Sequence, residues 1–172
     1  ASRMRIGTDP ALIASRKTVA IPEDVSLEIA ADVLPNVLEG MLRELPANSE
    51  QLGRAIRHLL RSGDSAPMDE ARRVAHTLKG DSNTVGVRGL ANLTHVLEDV
   101  LLELHKRPER LNPVLAQDLD RAADCVEEMA DFLLGRGPEP SSPLGIYQAI
   151  LDWSNRFFAG VDEAAEVPVD PP

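Results

Sequence analysis

Aromatic side chains are scarce: one Trp, one Tyr and three Phe in 172 residues. A sheet-rich core leans on aromatic and β-branched residues, whereas the Leu and Ala that dominate here favour helices. Cysteine is nearly absent. A lone Cys125 excludes an internal disulfide and fits a reducing compartment, so a cytoplasmic location is expected. Basic residues are outnumbered, 18 Lys and Arg against 28 Asp and Glu, and the net charge of −10 argues against a nucleic-acid partner. No apolar run approaches the roughly 20 residues of a membrane span, and no signal peptide is visible, so no membrane partner is expected. There is no Walker-type glycine-rich loop, and with it no site for ATP. What is present, 43% hydrophobic and 27% charged residues, suffices for one soluble domain of ordinary size. Both ends look like linkers, and the chain reads as a piece of something longer.

Taken in order, residues 1–21 lack a sustained period and read as a linker or loosely docked arm. From Glu23 to Leu45, the apolar residues Val25, Ile29, Val33, Val37, Met41 and Leu45 recur at fours, which predicts a long amphipathic helix. Pro35 within it marks a bend or a start, and Pro46-Ala47-Asn48 is expected to end it. A shorter helix is predicted from Ser49, as its cap, to Arg61. Pro67 opens the next helix at a first-turn position. A tight turn at Gly86-Val87-Arg88-Gly89 then leads to a helix over Leu90–Lys106. Asn112-Pro113 starts another that runs to Leu134. Breakers fill Gly135–Pro143, and a last helix, Leu144–Phe158, carries most of the aromatics. The expected architecture is all-α: an antiparallel four-helix bundle over 22–137, an accessory helix in 138–160, and an acidic Pro-rich tail, 161–172, read as disordered.

Chemistry concentrates on the helix containing Val74-Ala75-His76-Thr77-Leu78-Lys79-Gly80. Ala71, Ala75, Leu78, Ser82 and Val85 share one narrow face, and His76 lies roughly 120° from its middle at 3.6 residues per turn. Arg72, Lys79, Gly80 and Asn83 share its side. The histidine is therefore presented to solvent between cations, beside a residue without a side chain. A neutral imidazole keeps a nucleophilic lone pair on one nitrogen. The phosphohistidine it could form is anionic, and Lys79 is placed to stabilise it. The other nitrogen needs an acceptor to fix the tautomer. Glu98 qualifies, because it follows Gly89 by about as many residues as His76 precedes Gly86. The two should lie level across an antiparallel hairpin.

These residues, His76-Thr77-Leu78-Lys79-Gly80 with Gly86, Leu90 and Thr94-His95-Val96-Leu97-Glu98, resemble the histidine phosphotransfer (HPt) domain. The likeness is to the version in chemotaxis-type (CheA-like) histidine kinases and their relatives controlling type IV pilus motility, and it covers roughly Glu23 to Leu134. It implies a four-helix bundle in two-component signalling. In it His76 is phosphorylated, Lys79 supports the phosphate, Glu98 bonds the phosphoacceptor, and His95 joins their network. It also implies two partners, a kinase ATP-binding domain as donor and a response-regulator receiver as acceptor. ATP and magnesium belong to those partners, so no cofactor is expected in this chain and it is not a catalyst alone. Gly80, Arg72 and Asn83 are the expected docking residues. Asp81-Ser82-Asn83 and the extra helix from Ser49 depart from the pattern.

Alternatives stand beside these readings. His95 could simply be a surface histidine bonded to Glu98 in its own helix, and His58 and His105 read as solvated. A bundle metal site wants Glu-x-x-His on two helices; only the reversed His95/Glu98 pair is available, so no metal is expected. Arg54, Arg57, Arg61, Arg72 and Arg73 form either a solvated basic face or a surface that steers an acidic receiver. Cys125 reads as a buried small hydrophobe. The aromatic helix reads as a brace, with docking as the alternative. The second functional reading is a degenerate HPt-like bundle that docks partners without accepting phosphate.

Overall fold

Proline and glycine set most of the helix ends. The computed structural model describes residues 17–159 and contains five α-helices: α1 (Pro35–Ser62), α2 (Ser65–Val85), α3 (Arg88–Lys106), α4 (Pro113–Leu133) and α5 (Pro143–Phe158). Short 3-10 turns occupy Pro22–Val25 and Pro108–Arg110, and no strand occurs among the described residues. Helices α1 to α4 form the expected bundle, with α1 against α2 and α4, and α3 against α2 and α4. The fifth helix lies across α3 and α4. The core is aliphatic: Leu45, Leu52, Ile56, Leu59, Met68, Leu78, Leu90, Leu93, Leu97, Leu101, Leu104 and Leu115 are fully buried. Each such side chain contributes about 1.5–3 kcal/mol by leaving water.

The N-terminal half of the bundle departs from the sequence reading. No helix spans Glu23–Leu45. Proline forces the residue before it out of helical geometry, and Leu34 accordingly sits at ψ 134°, so Pro35 starts α1 as its first residue. Residues 26–34 instead run as a mostly extended strap with a turn near Ala31, Val25, Leu27, Ile29 and Val33 lying against the core. Nor does Pro46 end the helix, and Ser49 is not a cap. α1 continues through Pro46 to Ser62, and the buried Ser49 hydroxyl donates to the Pro46 carbonyl at 3.1 Å. A proline inside a helix removes one hydrogen bond. Here buried Met41, Leu45, Leu52, Ile56 and Leu59 on both sides of it outweigh that loss.

The later elements follow the sequence closely. Asn112 caps α4, its side-chain oxygen accepting from the Leu115 N–H at 3.0 Å. Tyr147, Ile150, Leu151, Trp153 and Phe157 of α5 are buried. The Trp153 indole donates to Asp118 at 2.9 Å, and the Ser154 hydroxyl to Asp99 at 3.3 Å. The helix braces α3 and α4. The described end of the N-terminal arm is docked on this brace: Gln148 donates to the Thr18 carbonyl and accepts from the Ala20 N–H, and Asn155 donates to the Lys17 carbonyl. The rest of the arm, 1–16, and the tail, 161–172, lie outside the described residues. Cys125 is buried, which pushes its thiol pKa up to about 12.

The α2–α3 hairpin closes in two residues. Gly86 takes φ +76°, a left-handed conformation open chiefly to glycine, and its N–H reaches back to the Asn83 and Ser82 carbonyls. α3 begins at Arg88, so Gly89 belongs to the helix rather than the turn. Its N–H donates to the Ser26 carbonyl at 2.7 Å, and a Cβ there would stand 2.5 Å from the Val25 oxygen. We expect Gly86→Ala to lose about 1–3 kcal/mol of stability in urea titrations, since its Cβ would also meet Ala30 at 2.7 Å. Gly80→Ala, with open space around it, should gain about 0.5–1 kcal/mol from helix propensity. Equal stabilities for the two variants would contradict this turn geometry.

Candidate functional site

The two-residue turn makes α2 and α3 antiparallel neighbours and brings His76 level with Glu98. The His76 Nδ1–H donates to Glu98 Oε2 at 2.7 Å. Lys79 Nζ lies 2.6 Å from the other oxygen, Oε1. The carboxylate is thus shared between two side chains one turn apart on the opposite helix. Their exposures differ usefully: the His76 side chain is 63% exposed, Lys79 23% and Glu98 14%. An acceptor-only carboxylate fixes the N–H on Nδ1. Nε2, with no hydrogen bond from the described residues, is then the nitrogen that carries the lone pair.

Burial by itself raises the pKa of Glu98, but the hydrogen bonds from Lys79 and His76, with their charges, hold it below the usual carboxylate value. Glu98 is therefore ionised where it orients the ring. Gly80 is exposed with nothing within 4 Å of where a Cβ would be, so the surface beside His76 is open to an approaching protein.

The other candidate residues are placed as follows. Asn83 is exposed on α2. Arg72 is tied to its own helix, its Nε and an Nη within 3.3 Å and 3.0 Å of Asp69 Oδ1. His95 does not pair with Glu98. Its Nε2 lies 3.6 Å from Asp99, one turn along α3, on the side that faces α5. Residues 95 and 98 stand about 60° apart around α3, both outside the buried stripe of Leu90, Leu93, Thr94 and Leu97; Glu98, nearer that stripe, turns to α2, and His95, farther round, turns to α5. The basic face is mostly neutralised: Arg54 pairs with Glu50, Arg57 with Asp124 and Glu127, and Arg72 and Arg73 with Asp69. Asp69 is the site neighbour that sequence reading missed. Its signal was its place two turns before His76 on nearly the same line of α2.

A bundle that holds an exposed histidine against a mostly buried carboxylate and leaves an open glycine beside it belongs to the class of histidine phosphotransfer modules. Comparison with known proteins gives the family: the Hpt domain model matches residues 36–133, more than half of the chain, and the chain belongs to that family. It works in histidine phosphotransfer within two-component signalling. Among curated proteins, the sensor histidine kinase CheAY of Helicobacter pylori is 29% identical over 112 residues, 64% of this chain and 14% of that protein. The chemotaxis protein CheA of Halobacterium salinarum is 28% identical over 56% of this chain and 15% of its own length. That of Borreliella burgdorferi is 35% identical over 38% of this chain and 8% of its own. The chain therefore spans a small fraction of these relatives. No solved structure matches it. Among the described residues no helix is long and apolar enough to cross a membrane.

The lowered pKa of Glu98 links the site to stability. A carboxylate whose folded pKa lies below its ordinary 4.5 stabilises the fold at higher pH, and loses that contribution as pH falls through the folded value. Acid titration of stability should therefore be steeper below pH 4.5 for the wild type than for Glu98→Gln. Parallel curves would show that Glu98 gains nothing from Lys79 and His76.

Proposed function

We propose that His76 is the phosphoacceptor of this domain, receiving a phosphoryl group from an ATP-dependent kinase domain and yielding it to a response-regulator aspartate. The observation that carries this reading is the His76 Nδ1–Glu98 bond on an exposed ring. It leaves Nε2 as the nucleophile, aimed into open solvent. In the forward step the Nε2 lone pair forms the N–P bond while the bond from phosphorus to the ADP oxygen breaks. Positive charge that develops on the ring falls beside the Glu98 carboxylate. In the return step the regulator's aspartate attacks phosphorus and the N–P electron pair goes back to Nε2. The chain's own contribution is orientation and charge. The metal-bound chemistry of phosphoryl transfer is supplied by the partner domains, and Gly80 gives their active sites room to reach the ring.

Incubation with phosphoramidate followed by intact-mass spectrometry tests the acceptor. The wild type should gain one acid-labile phosphoryl group, and His76→Gln none while keeping its helical circular dichroism. A variant still labelled would overturn the assignment. Glu98→Ala should remain folded and be labelled about tenfold more slowly, the loss of one orienting, charge-assisted hydrogen bond of about 1.4 kcal/mol. Unchanged kinetics would remove Glu98 from the mechanism.

A further inference from the structure

Lys79 cannot serve two anions equally. Its Nζ sits 2.6 Å from Glu98, and the side chain is mostly covered. The cations next in line are on the turn before His76. Asp69 precedes His76 by about two turns, within roughly 20° of the same line along α2, and Arg72 and Arg73 flank that line. Arg72 Nε and an Nη contact Asp69 Oδ1 at 3.3 and 3.0 Å, while Arg73 Nε lies 3.2 Å from Oδ2. One carboxylate thus holds two guanidinium groups, leaving a net positive charge. Arg72 and Arg73 stand four and three residues before His76, the spacings at which side chains on one helix are neighbours, so long arginine side chains on that turn are within reach of a group carried on the ring.

We propose that the phosphoryl group on His76 is bound by the Arg72–Arg73 pair, which Asp69 holds in reserve until that group arrives. This rests on His76 being the phosphoacceptor. A phosphoryl group carries about −1.5 to −2 charges and three acceptor oxygens against the single charge of Asp69, so it outcompetes the carboxylate for the planar, fork-shaped donors of arginine. Lys79 is left to keep Glu98 ionised, and Asp69 is a positioning residue that restrains the arginines. Arg72, two-thirds or more covered, is the pre-organised member, and Arg73, 64% exposed, is the mobile one.

Initial rates of labelling by phosphoramidate test this. In that reaction Nε2 forms the N–P bond, the donor's P–N bond breaks, and its protonated nitrogen leaves as ammonia, while the Nδ1–H stays hydrogen-bonded to Glu98. Arg72→Gln with Arg73→Gln should slow labelling about fivefold or more, and Asp69→Asn, which frees both guanidinium groups, should speed it about threefold. Adding the two arginine changes to Asp69→Asn should abolish that gain, and 0.5 M salt should shrink it. Damage to the fold would not speed labelling. If all of these variants are labelled on His76 at the wild-type rate, or the gain survives without the arginines, the assignment is wrong while the phosphoacceptor reading stands. If the wild type itself takes no label, both fall.

Discussion

The register of α2 against α3 is the constraint on which the site depends. A carboxylate 14% exposed between two helices is stable only if cations meet it there. Lys79 and His76 do so because the turn at Gly86 fixes which residues of the hairpin are level. A longer loop would let α3 slide, and a slide of one helical turn, about 5.4 Å, would pair Glu98 with different neighbours. The left-handed glycine, the helical Gly89 pressed on the Val25 carbonyl, and the Leu90, Leu93, Leu97 and Leu101 stripe all act on this one variable. The geometry of the His76–Glu98 pair and the packing of the core are set by the same choice of residues.

Much of this was legible in the sequence. The Gly86 turn and the 3.6-residue period of α2 placed His76 outside the core and Glu98 across from it, and the cap at Asn112 and the aromatic stripe of α5 fixed the later helices. The misreading over residues 23–61 has a physical cause. Apolar residues spaced at fours from Val25 suited a helix, but the strap satisfies its backbone on α3 instead, through Gly89 N–H to the Ser26 carbonyl. Pro46 looked like a stop because the apolar stripe lapses there. Ser49 fills the lapse: buried positions 41, 45, 49, 52, 56 and 59 keep helical spacing across the proline. A small hydroxyl that bonds its own helix behaves as a core residue, and composition alone does not reveal that. A spacing of three puts His95 beside Glu98 on α3, yet its partner is Asp99 at a spacing of four, because Glu98 is taken by His76 and Lys79 across the hairpin.

The matched family residues, 36–133, end short of what holds α3 in place. Glu98 faces α2, but the next residue, Asp99, faces α5, where Ser154 donates to it and His95 stands 3.6 Å away. One turn and more toward the N-terminus, Asn92 donates to the Asp24 carbonyl at 2.8 Å. The Asp24 side chain, buried, is itself held by Lys17 at 2.9 Å and by the Ile21 N–H. Burial raises the pKa of Asp24, and Lys17, the Ile21 N–H and Arg88 more than reverse that. α3 is thus gripped on its far side by the strap and by α5 while its near side carries Glu98. Removing either would bare Val96, Tyr147 or Leu151 and loosen the helix whose position sets the His76 bond. The additions outside the family's span thus bear on α3, the helix that carries Glu98.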